Sequence, residues 1–410
     1  EIASAKERVV SEAKGEQGGY PLAGLKVLDF SRVLAGPFAG RMLSDLGADV
    51  VKIEPPDGDV TRLWGRVAGG LPGYYHQQNA GKRNICIDLR AAGARELVLS
   101  LVQHADILIE NYRPDVMPRL GLGYDALQTV NPRLVMLSIS GFGQGGPESH
   151  RPAYAPIVHA EAGLMARLAR RGKGPYQDLP LSVADTNASL HGLVGVLAAL
   201  LQRQSTGTGQ HIDIAMIDAT ICTDDQIHYD LEDSEATGPL RNDAWTTGAG
   251  PILVSADFRH LWKLLTTVHA VQDPTPPGAD LETKIAARRG AVGAFMAALD
   301  SWAAVEAAMD AMNLAWGQIR EAGALIESQP TVRARGSIVQ IDDRAGGTRP
   351  ITQSPYRFSN ARSGVRGPAP HRGEHNTEVL HGWLDMSAGE IRALESAGVL
   401  MSDGAGTAAD

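Results

Sequence analysis

A carboxylate stranded within an apolar stretch is a candidate for chemistry, and the 410-residue sequence places one in such a setting. Asp185 lies in VADTNAS, at the end of an apolar run and just before a Thr-Asn pair that could open a long apolar helix. A carboxylate there would stand at a helix N-terminus on the edge of a sheet. Aspartate is also a frequent N-cap, so residue type and position leave the two roles open. Other chemistries lack their signatures: there is no HExxH, no Walker loop and no GxSxG elbow. GFGQGG (Gly141 to Gly146) has dinucleotide spacing after a strand, but Pro147 and a polar ESHRP segment follow where a helix should begin. We read it as a glycine-rich turn. The 12 histidines, His159 and His191 among them, show no ligand spacing, and Cys86 and Cys222 form neither a CxxC pair nor a thiolate zinc site. No metal site is expected.

The elements around Asp185 alternate. LKVLDFS (Leu25 to Ser31) reads as a strand, Pro37 to Leu46 as a helix stopped by Gly47, and DVVKIE (Asp49 to Glu54) as a second strand. NICIDLR (Asn84 to Arg90), a helix from Ala92 to His104, DILIEN (Asp106 to Asn111) and RLVMLSISGFG (Arg133 to Gly143) continue the pattern. Such alternation predicts an α/β fold with a parallel sheet covered by helices. Its ligands would bind in the loops beyond the C-terminal strand ends. After Leu190, HGLVGVLAALLQRQ is apolar on every face and predicts a buried helix, ended by STGTG and followed by the strand HIDIAM (His211 to Met216). Composition then shifts. Asp224 to Asp243 is acidic, Asp273 to Asp280 is Pro-rich, and Ala286 to Ala324 is Ala-rich with helical spacing. We therefore expect a large domain over 20–227, a smaller inserted α+β domain over 228–330, and a return to the large domain over 331–410 through SIVQID (Ser337 to Asp342).

With 43% hydrophobic and 21% charged residues, the chain has the composition of a globular enzyme rather than a disordered or disulfide-scaffold protein. A net charge of -9 argues against a nucleic-acid or anionic-membrane binder but leaves room for a local basic pocket. Two cysteines fit a reducing compartment, and a cytoplasmic location is expected. The longest apolar candidate for a membrane span, Leu190 to Leu201, carries His191 and falls short of about 18 residues. Glu1 to Gln17 reads as a weak amphipathic helix without an apolar signal core.

Several ordered motifs resemble the class III (family III) CoA-transferases, which include formyl-CoA transferase, carnitine CoA-transferases and α-methylacyl-CoA racemase. They are GLKVLDFSRVLAGPFAGRMLSDLGADVVKIEPPDGD, NAGKRNICIDL, ADILIENYRPDVMPRLGLGYDAL, SISGFGQGGP, ADTNASLHGLVGVLAALLQRQSTGTGQHIDIAMIDA and PAPHRGEHNTEVL. The resemblance implies a Rossmann-like large domain formed by both chain ends, and an interlocked homodimer of ring-shaped subunits. It implies transfer of CoA from an acyl-CoA donor to a carboxylic acid, with no tightly bound cofactor. The family nucleophile matches Asp185, which would form an aspartyl anhydride and then an aspartyl-CoA thioester. Family CoA contacts match Arg32, Val33, Leu34, Asn111 and Arg119, the last as a phosphate partner. Arg62, Lys82 and Arg83 are further basic candidates, and Gly248 and Gly250 in TTGAGP are candidates for a lid or donor loop, although the family loop is longer. The racemase branch carries a His-Asp pair where this chain has Tyr154 and Ala155, which disfavours an acyl-CoA racemase or isomerase. His159, five residues beyond Tyr154, is a candidate for hydrogen bonding substrate or for replacing the missing base. A catalytically silent CoA-binding scaffold is the remaining alternative.

Overall fold

The structure is a computed structural model that describes residues 18–172, 174–232 and 242–403. The expected helix over Glu1 to Gln17 and much of the acidic segment before Asp243 lie outside these residues. The chain divides into two compact units: one holds the residues up to Asp225 and those from Gly336 onward, and the other is Gln226–Arg335.

The first unit is built on a seven-stranded sheet. Its strands are β1 (Lys26–Asp29), β2 (Asp49–Glu54), β3 (Arg83–Ile87), β4 (Ile107–Glu110), β5 (Val135–Ser140), β6 (His211–Ala215) and the short edge strand β7 (Leu400–Met401). Their order is β7-β3-β2-β1-β4-β5-β6, parallel except where β7 runs antiparallel to β3. β1 lies at the centre, with Leu28 opposite Val51 of β2 on one side and Leu108 of β4 on the other. Strands covered on both faces are mostly apolar, and all four residues of β4 and all six of β5 are buried, with Glu110, Ser138 and Ser140 their polar members. One face packs Leu28, Val51, Ile85 and Leu108 against Val98, Leu101 and Trp383. The other packs Val27, Val50, Ile107 and Leu137 against Leu43, Leu193 and Val196. The chain leaves β1 toward β2 but places β4 on the opposite side, so the strand order reverses between β1 and β4. In a doubly wound sheet that reversal opens a crevice beyond the strand ends.

Three helices matter to that crevice: α1 (Ala35–Asp45), α2 (Ala155–Glu161) and α3 (Val183–Thr206). Two sequence expectations about α3 are corrected. It starts at Val183, ahead of Leu190, because Thr186 does not cap it but folds into the first turn, its hydroxyl donating to the Ser182 and Val183 carbonyls. Nor is it buried on every face. Ala184, Ala188, Gly192, Leu193, Val196 and Ala199 pack inward, whereas Leu190, Val194, Leu197 and Leu201 form an exposed stripe. By length and composition alone this 24-residue helix could cross a membrane, a test that a core helix also passes. Here its small residues seat it on the sheet: a Cβ on Gly192 would come within 2.9 Å of the Leu137 side chain.

The second unit has three antiparallel strands, Asp243–Thr247, Gly250–Val254 and Trp316–Gln318. Helices Phe258–Val268, Leu281–Ala297 and Trp302–Ala311 cover them around Ile252, Val254, Leu261, Leu265, Met296 and Met309.

Candidate active site

A cleft of about 610 Å³ lies beyond the C-terminal ends of β1, β4 and β5, at the strand-order reversal. Arg32, Val33 and Ala35 line it from the β1–α1 loop, and Asn111, Tyr112 and Arg113 from the segment after β4. Ser140 and Gly141 follow from β5, and Arg151, Tyr154 and Asp185 complete the wall. Five residues singled out from the sequence therefore meet in one place: Arg32, Val33, Asn111, Tyr154 and Asp185.

Asp185 is not an N-cap. Ser182 holds that position without a side-chain cap bond, and Asp185 is the third residue of α3, on its buried face. Only 8% exposed, its carboxyl is pushed up to about 6 by burial, against the opposing pull of the Ala155 and Ala35 amides. Ala35 and Ala155 are the first residues of α1 and α2, so the N-termini of two helices lie near a poorly hydrated carboxyl group. Ser189 Oγ lies 2.8 Å from the Asp185 carbonyl oxygen and also bonds the Ala35 carbonyl, tying α3 to the start of α1. Hydrogen-bond donors fixed in a water-poor site are what stabilise an oxyanion in acyl transfer.

His159 does not reach the cleft as a free base or substrate contact. It is fully buried, with Nδ1 2.8 Å from Asp178 Oδ1 and Nε2 accepting the Ala184 amide at 3.2 Å. An amide of the first turn of a helix has no partner within the helix, and the imidazole supplies it. The sequence reading saw the histidine but not its two partners.

The basic candidates separate. Arg32 and Arg113 are exposed on the cleft wall and have no ion-pair partner among the described residues. Arg119 lies outside the cleft lining, bonded to Asp115 at 3.0 Å with its side chain 67% exposed. Lys82 is buried on Asp29 at 2.8 Å, Arg62 is bound to Glu54 and Tyr75, and Arg83 is bound to Asp49 and Glu378. These three are occupied within the fold. Leu34 is buried before α1 and does not line the cleft. Arg113 is not among the residues the family resemblance implies, although its place two residues beyond Asn111, just after a strand end, is a usable signal. The Ala35 and Ala155 amides left none, since a backbone donor has no residue-type signature.

Gly248 and Gly250 belong to a tight hairpin turn, not an open donor loop. The Ala249 and Gly250 amides donate to Thr247 Oγ1 at 3.2 and 3.1 Å, and a Cβ on Gly248 would come within 2.9 Å of Asp300 Cα. GFGQGG is likewise a turn: Gly143 and Gly145 have positive φ, and the Gln144 amide donates to Asp213 at 2.9 Å.

Comparison with known proteins bears on this cleft. A family model described as CoA-transferase family III matches residues 22–376. The chain is 30% identical to an acyl-CoA transferase of Fusarium pseudograminearum, over 95% of this chain and 90% of that protein. It is 31% identical to a succinate-glutarate CoA-transferase of Agrobacterium fabrum, over 88% of this chain and 95% of that protein. Among solved structures, it is similar to a CAIB/BAIF family protein from Brucella suis, with a TM-score of 0.75 and 28% identity, over 90% of this chain and all of that one.

Proposed function

Since the chain belongs to CoA-transferase family III and is a CoA-transferring enzyme, we propose that it moves CoA from an acyl-CoA donor to a carboxylic acid through covalent intermediates on Asp185. The observation that carries this reading is the Asp185 carboxyl itself, buried on the cleft wall that it shares with Arg32 and with Ala35 at the start of α1.

The steps balance without an outside reactant. The ionised carboxylate adds to the thioester carbonyl, the C–S bond breaks, and CoA thiolate leaves an aspartyl acyl anhydride. The thiolate then attacks the Asp185 carbonyl carbon and expels the donor acid as its carboxylate, giving an aspartyl-CoA thioester. An acceptor carboxylate attacks this thioester, forming a second anhydride and freeing CoA thiolate again. Attack of that thiolate on the acceptor carbonyl yields the new acyl-CoA and restores Asp185. Each tetrahedral species places negative charge on oxygen, where the Ala35 and Ala155 amides are the available donors. Arg32 and Arg113 are suited to the phosphates of CoA, because a guanidinium can bind phosphate oxygens in pairs.

Proton transfer at an α-carbon would need a second base facing Asp185, and His159 has both ring nitrogens engaged elsewhere. We also propose that two chains pair as a homodimer, which would cover the stripe Leu190, Val194, Leu197 and Leu201. The acid acceptor belongs to a class to be found by screening short dicarboxylates, branched acids and aromatic acids. Mass spectrometry after incubation with acyl-CoA, with hydroxylamine trapping, tests the mechanism: an adduct or cleavage at Asp185 is expected. Turnover without any modification of Asp185 would overturn it.

A further inference from the structure

The loop between β1 and α1 carries Val33 at a φ of +69°, the one β-branched residue with positive φ among the described residues. A β-branched side chain is disfavoured there because its Cβ crowds the neighbouring carbonyl. Such a conformation persists only where the surroundings impose it. The Val33 amide is bonded by Asp59, which is 2% exposed and does not line the cleft. Its carboxylate oxygens lie 3.2 and 3.3 Å from the Val33 amide that donates to them. Asp59 is itself held from several sides. Lys52 Nζ donates to it at 3.1 Å, the Thr61 amide and hydroxyl donate at 3.0 and 2.8 Å, and its own amide donates to Glu54 at 2.7 Å. Lys52, also fully buried, donates to the Ser31 carbonyl at 2.7 Å. One buried ion pair thus grips the loop on either side of Arg32, the cation on the carbonyl before it and the anion on the amide after it.

We propose that the Lys52–Asp59 pair is a positioning device for CoA transfer: it holds Val33 in the left-handed conformation, which keeps Arg32 and the Ala35 start of α1 on the cleft wall they share with Asp185. The inference rests on the reading of Asp185 as nucleophile. A buried ion pair is a weak source of net stability, since desolvation offsets much of its attraction. Specifying one loop geometry is a role that does not require a net gain.

Glycine adopts positive φ without strain, so Val33→Gly should make the clamp dispensable. The test is a double-mutant cycle on acyl-CoA exchange. Asp59→Ala is expected to lower kcat/KM about 30-fold in the Val33 chain, mostly through kcat, but no more than about threefold in the Val33→Gly background. Equal losses in both backgrounds would overturn the proposal. If Asp59→Ala does not fold, Asp59→Asn, which keeps the shape, goes through the same cycle. Hydrogen exchange of the peptide over residues 31–36, measured without substrate, should speed up in Asp59→Ala or Asp59→Asn while β5 stays protected. Unchanged exchange there would also overturn the clamp. Wild-type turnover by Asp185→Ala would instead sink the nucleophile and leave the exchange result standing, so the two failures are distinguishable.

Discussion

Asn111 holds the backbone of Arg32 from both sides: its side-chain oxygen accepts the Arg32 amide, and its side-chain nitrogen donates to the Arg32 carbonyl, each at 2.8 Å. These bonds join the segment after β4 to the loop after β1 across the strand-order reversal. Both ends of the Asn111 amide are engaged with protein, which makes it an orienting group for Arg32.

The pairing predicts an order among variants. Asn111→Asp replaces the donor with a second acceptor opposite the Arg32 carbonyl, whereas Asn111→Ala only removes two bonds. Two acceptors facing each other repel, which costs more than a missing bond. Steady-state kinetics should therefore show a larger rise in KM for acyl-CoA with Asp than with Ala. The reverse order would contradict the orienting role.

The nucleophile must be ionised, and the Asp185 carboxyl is pushed up to about 6 by burial. The pH profile of kcat/KM should fall about tenfold per unit below that value and level off above it. A profile flat down to pH 4 would separate activity from this carboxyl group.

The same shift has a consequence for stability. The folded pKa lies above the unfolded value of 3.8, so the contribution of Asp185 favours folding below about pH 4 and is lost as pH rises through 6. At pH 8 the protein holds a charge that burial disfavours. Asp185→Asn should then raise the unfolding free energy at pH 8 by about 1 to 3 kcal/mol, while abolishing covalent transfer. The gain should shrink toward pH 4, where the native carboxyl is also neutral. Denaturant unfolding at the two pH values measures both.

Arg32→Ala and Arg113→Ala should each weaken CoA binding about tenfold and reduce its salt dependence, as expected for guanidinium partners of phosphate. Arg119→Ala should change little, because its exposed pair with Asp115 is worth at most about 1 kcal/mol. Calorimetric titration with CoA at low and high salt distinguishes them; a dominant effect at Arg119 would restore the sequence-based assignment.

Period and residue type were sufficient for the alternation of strands and helices, because a strand covered on both faces is mostly apolar, as in Ile107–Ile109 or Val135–Leu137. They were insufficient for α3, where Leu190, Val194, Leu197 and Leu201 are as apolar as the residues that pack inward. Hydrophobicity records what a side chain can bury, not what is there to bury it. His159 shows the same limit in a polar group: the residue was visible, but its bonds to Asp178 and the Ala184 amide join positions brought together only by folding.

By itself, then, the sequence determined the family motifs, the parallel sheet and the aspartate at the mouth of a long helix, since these are local patterns of composition and order. Only the tertiary structure decided which groups face that aspartate. The approach of the Ala35 and Ala155 amides to Asp185 and the grip of Lys52 and Asp59 on the β1–α1 loop are contacts between segments apart in the chain. Their geometry follows from how the strands cross at β1 and β4, and no spacing along the chain encodes it.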